Sequence, residues 1–439
     1  MRFPAVAALC PNDRPRRILL LRRSLTALLP LVFLALLLFP GTTWAGSGSP
    51  DIFRMLRSTL HPAIIAAAFF YLGLRVIQPL RISSPVKAAL LLAAILLLGR
   101  VYMARAIFLL WHCEIIRPVY IAWSILQLAL LLFIALHAVL SVLSWLYRRL
   151  RGLPSSGAGQ LRPRLSAALL ALSLGLAAFG CFSALRVPPV TPEEIVVPGL
   201  PAAWDGLTVA HLSDLHVGRT FPGTWLGDVV DAVNAARPDL IVITGDLLDG
   251  SASHHLGELH PLHDLKAPLG VYACPGNHEY YSVPRHWPTI FSSLGVEILE
   301  NEHVILQRNG EELILAGITD DLAEQTDLPR PDIRQALQGT SPSLPLLLLS
   351  HRPAHVRELR ALDRPGATLQ LSGHTHGGQL LGLNLLVKYL NKGYLSGPYA
   401  LGDVRLYVSP GTALSASHPF RLGAAASRIP LLILRAPRD

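Results

Sequence analysis

Leu240-Ile241-Val242-Ile243-Thr244-Gly245-Asp246-Leu247-Leu248-Asp249 is an apolar run that breaks at a glycine and gives way to carboxylates. A stretch that is apolar at every position suits a strand covered on both faces, and Gly-Asp at its end is a turn signal. Four more runs carry the same punctuation. Leu207–Leu212 leads into Ser213-Asp214-Leu215-His216, and Gly270–Cys274 into Pro275-Gly276-Asn277-His278-Glu279. Leu346–Leu349 leads into Ser350-His351, and Thr368–Leu371 into Ser372-Gly373-His374-Thr375-His376. Further strands are expected at His303–Gln307, Leu313–Ile318, Val404–Val408 and Leu431–Leu434, with helices at Trp225–Ala236, Leu256–Lys266 and Arg285–Leu294. Short strands alternating with helices predict an α/β domain of mixed sheets sandwiched between helices.

The polar residues sit at strand exits, and in such a domain the exits converge on one crevice. Carboxylate, imidazole and amide oxygen together suit a divalent ion such as Zn²⁺, Mn²⁺ or Fe²⁺. Asp214, His216, Asp246, Asn277, His351, His374 and His376 are too many donors for one ion. They suit two ions about 3.5–4 Å apart sharing one carboxylate, an arrangement that activates water and clamps a phosphoryl group. An Asp-x-His or Gly-Asp pair alone is commonly just a turn. The weight comes from all five motifs appearing at strand exits in one domain.

These motifs resemble the calcineurin-like metallophosphoesterases, and the whole chain resembles the membrane-tethered branch of that family. The match consists of Asp214-x-His216, Gly245-Asp246-x-x-Asp249, Gly276-Asn277-His278-Glu279, the lone His351 and Gly373-His374-x-His376, over about residues 205–435. The resemblance implies a metallophosphoesterase-type β-sandwich flanked by helices, with two divalent metal ions. It also implies that Asp214, His216 and His376 hold the first ion, that Asn277, His351 and His374 hold the second, and that Asp246 bridges. His278 would be the catalytic histidine, oriented by Glu279, with Asp249 supporting the site from behind. One departure is visible: Ser409-Pro410-Gly411 stands where relatives tend to show Ser-Arg-Gly. The resemblance therefore carries over the metals but not a substrate identity.

Outside this domain the composition changes. The chain has 439 residues, of which 51% are hydrophobic and only 15% charged, against about 25% charged in an ordinary soluble protein. Residues 1–204 carry a net +15 and residues 205–439 a net −6, so the second half has no basic footprint for nucleic acid. Five stretches approach the roughly 20 apolar residues a membrane-spanning helix needs: Ser24–Phe39, Ala63–Leu80, Val86–Val101, Val119–Tyr147 and Leu165–Leu185. The first of them doubles as a possible signal sequence, with Thr43-Trp44-Ala45 as a small-residue cleavage site. Arginines crowd the N-terminal tail and residues 148–164, and the positive-inside rule then puts everything after Arg186 on the extracytoplasmic side. The expected organisation is a transmembrane bundle over residues 1–186, a Pro-rich tether over 187–203 and the catalytic domain over 204–439. The four cysteines form no metal-binding or disulfide pattern.

The expected activity is membrane-anchored hydrolysis of a phosphomono- or diester. The alternatives are a pyrophosphatase acting on a nucleotide-linked lipid and a non-catalytic membrane sensor or scaffold. A serine hydrolase is set aside because no Gly-x-Ser-x-Gly elbow is present. Leu380–Leu401 is largely apolar, with Tyr389, Tyr394 and Tyr399 and only Lys388 and Lys392 charged. It is read first as an apolar loop packed on the sandwich, with a substrate wall or membrane-facing lid as the alternative. His254, His255, His260 and His263 are read as a solvated face.

Overall fold

Apolar runs with two faces to bury pair here into two six-stranded sheets. The first has the spatial order β1 (Val190–Val196), β12 (Ile429–Arg435), β2 (Thr208–Leu212), β3 (Leu240–Thr244), β4 (Val271–Cys274), β5 (Glu297–Ile298). The second runs β10 (Gly397–Leu401), β11 (Val404–Val408), β9 (Thr368–Ser372), β8 (Leu346–Leu349), β7 (Glu311–Gly317), β6 (Glu302–Arg308). The structure is a computed structural model and describes residues 62–111, 115–154, 161–249, 255–282, 287–325, 328–415, 419–423 and 425–437. The span expected at Ser24–Phe39, the Arg-rich tail, the cleavage site, His254 and the start of the helix expected from Arg285 lie outside those residues.

Side-chain alternation explains the sandwich. In β3, Leu240 and Val242 enter the core shared by the two sheets, while Ile241 and Ile243 face outward. In β7 and β8, Leu313, Leu315, Leu347 and Leu349 meet them from the other side, and Ile314, Ala316, Leu346 and Leu348 face away. Each such residue contributes roughly 1.5–3 kcal/mol on burial, so neither face tolerates a polar register. The outer face of the first sheet is covered by the helix Gly223–Ala235, whose Trp225, Leu226, Val229, Val230 and Val233 form one apolar stripe. The helix expected over Leu256–Lys266 is a 3₁₀ segment, Leu256–Asp264, with Pro261 inside it. Proline cannot supply the α-helical N–H at that position.

Within each sheet β2, β3, β4 and β5 run parallel, as do β7, β8, β9 and β11. Their carboxyl ends therefore emerge together, and this is what gathers the polar motifs.

The Pro-rich stretch 187–203, expected as an extended tether, carries an edge strand. Val190–Val196 is an edge strand paired in parallel with Ile429–Arg435, and Pro192 sits there because an edge strand tolerates a missing N–H. Trp204 just beyond it is fully buried in the shared core. Trp204→Ala is accordingly expected to cost about 3–5 kcal/mol, read as a lower denaturant midpoint. A linker residue would leave the midpoint unchanged.

Among the described residues the chain forms two units, one within 62–177 apart from 115–124, the other made of 115–124 and the residues from 178 onward. In the first, Arg100 is buried and donates from Nε to Gln127 Oε1 at 2.7 Å, while Tyr71 Oη pairs with His137 Nδ1 at 2.9 Å. These two pairs satisfy polar side chains inside the bundle. Among the described residues two helices are long and apolar enough to cross a membrane, Arg117–Leu150 (34 residues) and Pro163–Leu185 (23 residues). The spans expected at Ala63–Leu80 and Val86–Val101 are instead the shorter apolar helices Pro62–Ile77 and Ser84–Leu98. The second stops at Gly99, and Arg100–Trp111 follows as a separate helix.

Candidate metal centre

Six strand exits supply the site, three from each sheet. Asp214 and His216 follow β2, Asp246 and Asp249 follow β3, and Asn277, His278 and Glu279 follow β4. From the other sheet come His351 after β8, His374 and His376 after β9, and Ser409–Thr412 after β11. Backbone bonds lock the exits to one another. Asp214 N donates to Gly245 O at 3.0 Å and His216 N to Asp246 O at 2.9 Å. Across the sheets, Thr412 N donates to Ser213 O at 2.8 Å and His351 Nδ1 pairs with Thr244 O at 2.7 Å.

All seven expected ligands are buried at this rim, with no more than 7% of any of them exposed. Asp214, His216 and His376 bring ligand atoms within 4.8 Å of one another, as do Asp214, Asp246 and His351. The Asp246 carboxylate lies between, with Oδ2 3.6 Å from His216 Nε2 and 3.3 Å from His351 Nε2. His374 Nδ1 is 3.1 Å from His351 Nε2, and His376 Nε2 is 3.6 Å from Asp214 Oδ1. Asn277 sits between two residues that press on Asp246: His278 N donates to Asp246 Oδ1 at 2.8 Å, and a Cβ on Gly276 would collide with that carboxylate.

The donor set fits metal ions for a reason independent of motif. Both ring nitrogens of His216, both amide atoms of Asn277 and Nδ1 of His376 are buried without a hydrogen-bond partner. Orphaned buried polar atoms cost about 1–3 kcal/mol each, so a cluster of them aimed at carboxylates calls for a cation. The backbone agrees. Asp214 (φ 55°), His216 (φ 44°), Asp246 (φ 55°), His374 (φ 69°) and His376 (φ 49°) all adopt left-handed conformations. Each such residue stores about 1–3 kcal/mol, a strain that clusters at functional sites.

Electrostatics divide the histidines. Burial pushes His216 down to about 4 and also lowers His374 and His376. His351 loses hydration too, but Asp246 outweighs that and holds it up at about 10. For His278, Asp246 and Asp249 overcome burial and hold it at about 9. Burial would raise Asp246, yet His351 and His278 keep it well below the usual carboxylate range. In the metal-free protein, protons on His351 and His278 thus balance Asp246. Both imidazoles bind protons more tightly folded than unfolded, so the stability they add is fully present below about pH 6.5 and is lost as pH rises through 9–10. The chelator-treated protein is expected to melt at lower temperature as pH climbs from 7 to 10, while divalent-ion affinity rises over the same interval because the ion competes with those protons. Thermal melts and calorimetric titrations across that range check both signs.

Glu279, expected to orient His278, makes its hydrogen bonds to backbone. Its carboxylate accepts from Gly276 N at 2.7 Å and from Asp246 N and Leu247 N at 2.9 Å, clamping the two turns that carry Asp246 and Asn277. Burial and Asp246 push it up to about 7. Asp249 is the partner of His278, with Oδ1 3.1 Å from Nδ1. A short helix, Glu279–Ser282, begins at Glu279 and turns that side chain back toward the loop N–H groups.

Two arginines were not legible as site residues. Buried Arg421 donates to His376 O and Pro410 O, both at 2.9 Å, and so fixes the His376 turn from outside. Buried Arg352 forms a bidentate pair with Asp320 (2.7 and 3.0 Å), and its Nη1 lies 3.4 Å from His374 Nε2. Position 352 adjoins a ligand, which was the one available signal; Arg421 had none. His255, expected on a solvated face, is buried.

Residues 207–378 match the model of the calcineurin-like phosphoesterase domain. The "Transmembrane protein with metallophosphoesterase domain" of Danio rerio is 35% identical to this chain over 314 residues, 70% of each. The chain belongs to the calcineurin-like phosphoesterase family. The protein of the same name from Bos taurus is 38% identical over 288 residues, 63% of each chain. This family member therefore spans somewhat under two thirds of one of these relatives and 70% of the other. The "UDP-2,3-diacylglucosamine pyrophosphatase LpxG" of Chlamydia trachomatis is 28% identical over 221 residues, covering 40% of this chain and 65% of its own.

Proposed function

We propose that this protein is a membrane-anchored, dinuclear metal-dependent phosphohydrolase. Asp214, His216 and His376 would hold one divalent cation, Asn277, His351 and His374 a second, with Asp246 shared. Such ions supply Lewis-acid activation of water and neutralise phosphoryl oxygens. The observation that carries the proposal is the buried, unpartnered donor set of His216, Asn277 and His376 around Asp214 and Asp246.

The chain's own residues supply the rest. Asp249 engages Nδ1 of His278 and keeps the ring protonated, so proton delivery falls to Nε2. In the hydrolysis, water's oxygen bonds to phosphorus and the phosphorus–ester oxygen bond breaks. The leaving oxygen takes the proton from His278, and one proton of the water restores it. Glu279 keeps the Asp246 and Asn277 turns rigid, and Arg421 does the same for the His376 turn. The pyrophosphatase reading has one supporting observation, the similarity to the Chlamydia trachomatis pyrophosphatase.

The facing ends of the membrane helices Arg117–Leu150 and Pro163–Leu185 and the segment between them carry Arg148, Arg149, Arg151, Arg162 and Arg164, which the positive-inside rule assigns to the cytoplasm. The catalytic domain then lies on the extracytoplasmic side. Turnover of bis-p-nitrophenyl phosphate by the full chain in detergent tests the activity. It should require added Mn²⁺ or Zn²⁺ and stop with chelator. Metal loading without turnover of this or any other phosphoester would leave only a binding role.

A further inference from the structure

The helix Leu383–Leu390 follows the His376-Gly377-Gly378 turn and packs on it, since a Cβ at Gly378 would collide with Asn384. Its other face is bare. Leu385 and Tyr389, four apart on one side of the helix, are 71% and 79% exposed, and Leu381 in the turn just before it is 72% exposed. Lys388 and Lys392 are exposed beside them, and residues 380–402 contain no acid. An apolar face flanked by lysines is the composition of a helix lying in a lipid headgroup layer, where lysines reach up to anionic headgroups.

A second, independent observation says which surface covers it. Leu422 N donates to Gln379 O at 2.8 Å, and Leu381 N donates to Leu422 O at 3.0 Å. The neighbouring Arg421 N donates to Gly180 O at 2.9 Å, and a Cβ on Gly180 would press into Leu422. Gly180 lies in the last turns of Pro163–Leu185, where Phe179 and Phe182 are also bare. The bare helix is thus one short backbone bridge away from the end of a membrane helix.

We propose that Leu383–Leu390 lies in the headgroup layer of the bilayer crossed by Pro163–Leu185, and that the metal centre therefore acts on phosphoesters whose alcohol is a bilayer lipid. This rests on the phosphohydrolase and membrane-span readings above. The helix holds the His376 turn at headgroup depth, where a lipid phosphate arrives without leaving the membrane. In that hydrolysis the phosphorus–oxygen bond to the lipid breaks, the lipid oxygen takes the proton from His278, and water's oxygen stays on phosphorus.

The test uses the full chain, with its native cysteines replaced, in vesicles of phosphatidylcholine and phosphatidylglycerol. Nitroxide labels are placed at Leu385→Cys and, as a reference within the span, at Leu172→Cys. Both labels should collide more with oxygen than with a water-soluble nickel chelate. A Leu385 label that favours the chelate overturns the proposal, and a Leu172 label that does so overturns the span and the proposal with it. Release of hexadecanol from hexadecyl phosphate in the vesicles is then compared with release of methanol from methyl phosphate in water. The double variant Leu385→Glu, Tyr389→Glu should lose about tenfold on the hexadecyl ester and stay within about twofold on the methyl ester. Equal loss on both esters, or none on either, counts against the proposal. Wild-type protein inactive on both esters would overturn the phosphohydrolase reading, while the labels still decide where the helix lies.

Discussion

Asp246→Asn is expected to abolish metal loading and to lower phosphoester turnover by about a thousandfold. Asparagine has the same shape, so the fold should survive and far-ultraviolet circular dichroism should be unchanged. What disappears is the charge at the centre of the donor set. Asp246 Oδ2 is 3.6 Å from His216 Nε2 and 3.3 Å from His351 Nε2, which places one carboxylate oxygen between ligands from both sheets. If asparagine turns its NH₂ toward those nitrogens, a donor faces donors and cation alike. If it turns its oxygen there, the NH₂ meets the His278 N–H that now donates to Oδ1 at 2.8 Å. Neither orientation restores the anion. In the metal-free variant His351 and His278 should also lose proton affinity, because Asp246 is the first charge raising each. Elemental analysis and turnover on one preparation check the expectation, and a variant that retains both ions would remove Asp246 from its central role.

His278→Ala is expected to keep its metal and still lose about 10²–10⁴-fold in turnover, the usual share of general acid–base catalysis. The distinction is not trivial, because His278 brings a ring nitrogen within 4.8 Å of ligand atoms of His216 and Asp246. It differs from those residues in its partner, Asp249 at 3.1 Å, and in its 14% exposed side chain. Asp249→Asn gives the graded counterpart. Without that carboxylate the imidazole holds its proton less tightly, so the alkaline limb of kcat should move to lower pH while metal content stays constant. If His278→Ala sheds an ion, the residue is a ligand. If Asp249→Asn leaves the limb where it was, the proton-holding role is wrong.

The motifs that make the site were legible because each is local. An apolar strand must end where a glycine or a short polar residue lets the chain turn, so Gly245-Asp246 and Gly373-His374 carried both the strand exit and the ligand. Asp249 and Glu279 were found by the same route, but their hydrogen-bond partners were not: Asp249 reaches His278, and Glu279 the loop N–H groups. Which carboxylate reaches His278 depends on how the turns after β3 and β4 face each other, and sequence spacing does not contain that. Arg421 was invisible for a stronger reason. It acts on His376 O and Pro410 O across chain separations that no short motif spans. The strand β1 was not legible because prolines signal a linker unless a partner strand is known, and that partner, Ile429–Arg435, lies at the far end of the domain.

By itself the sequence determined the strand-and-helix rhythm, the donor types and the apolar character of the first half. These depend on side-chain chemistry and periodicity within a few residues. Tertiary structure alone decided that two sheets present their carboxyl ends to one rim, that five of the proposed ligands sit in left-handed backbone, and that Leu381, Leu385 and Tyr389 stay bare. Those are outcomes of which faces are buried against which, and burial is a property of the whole packed chain.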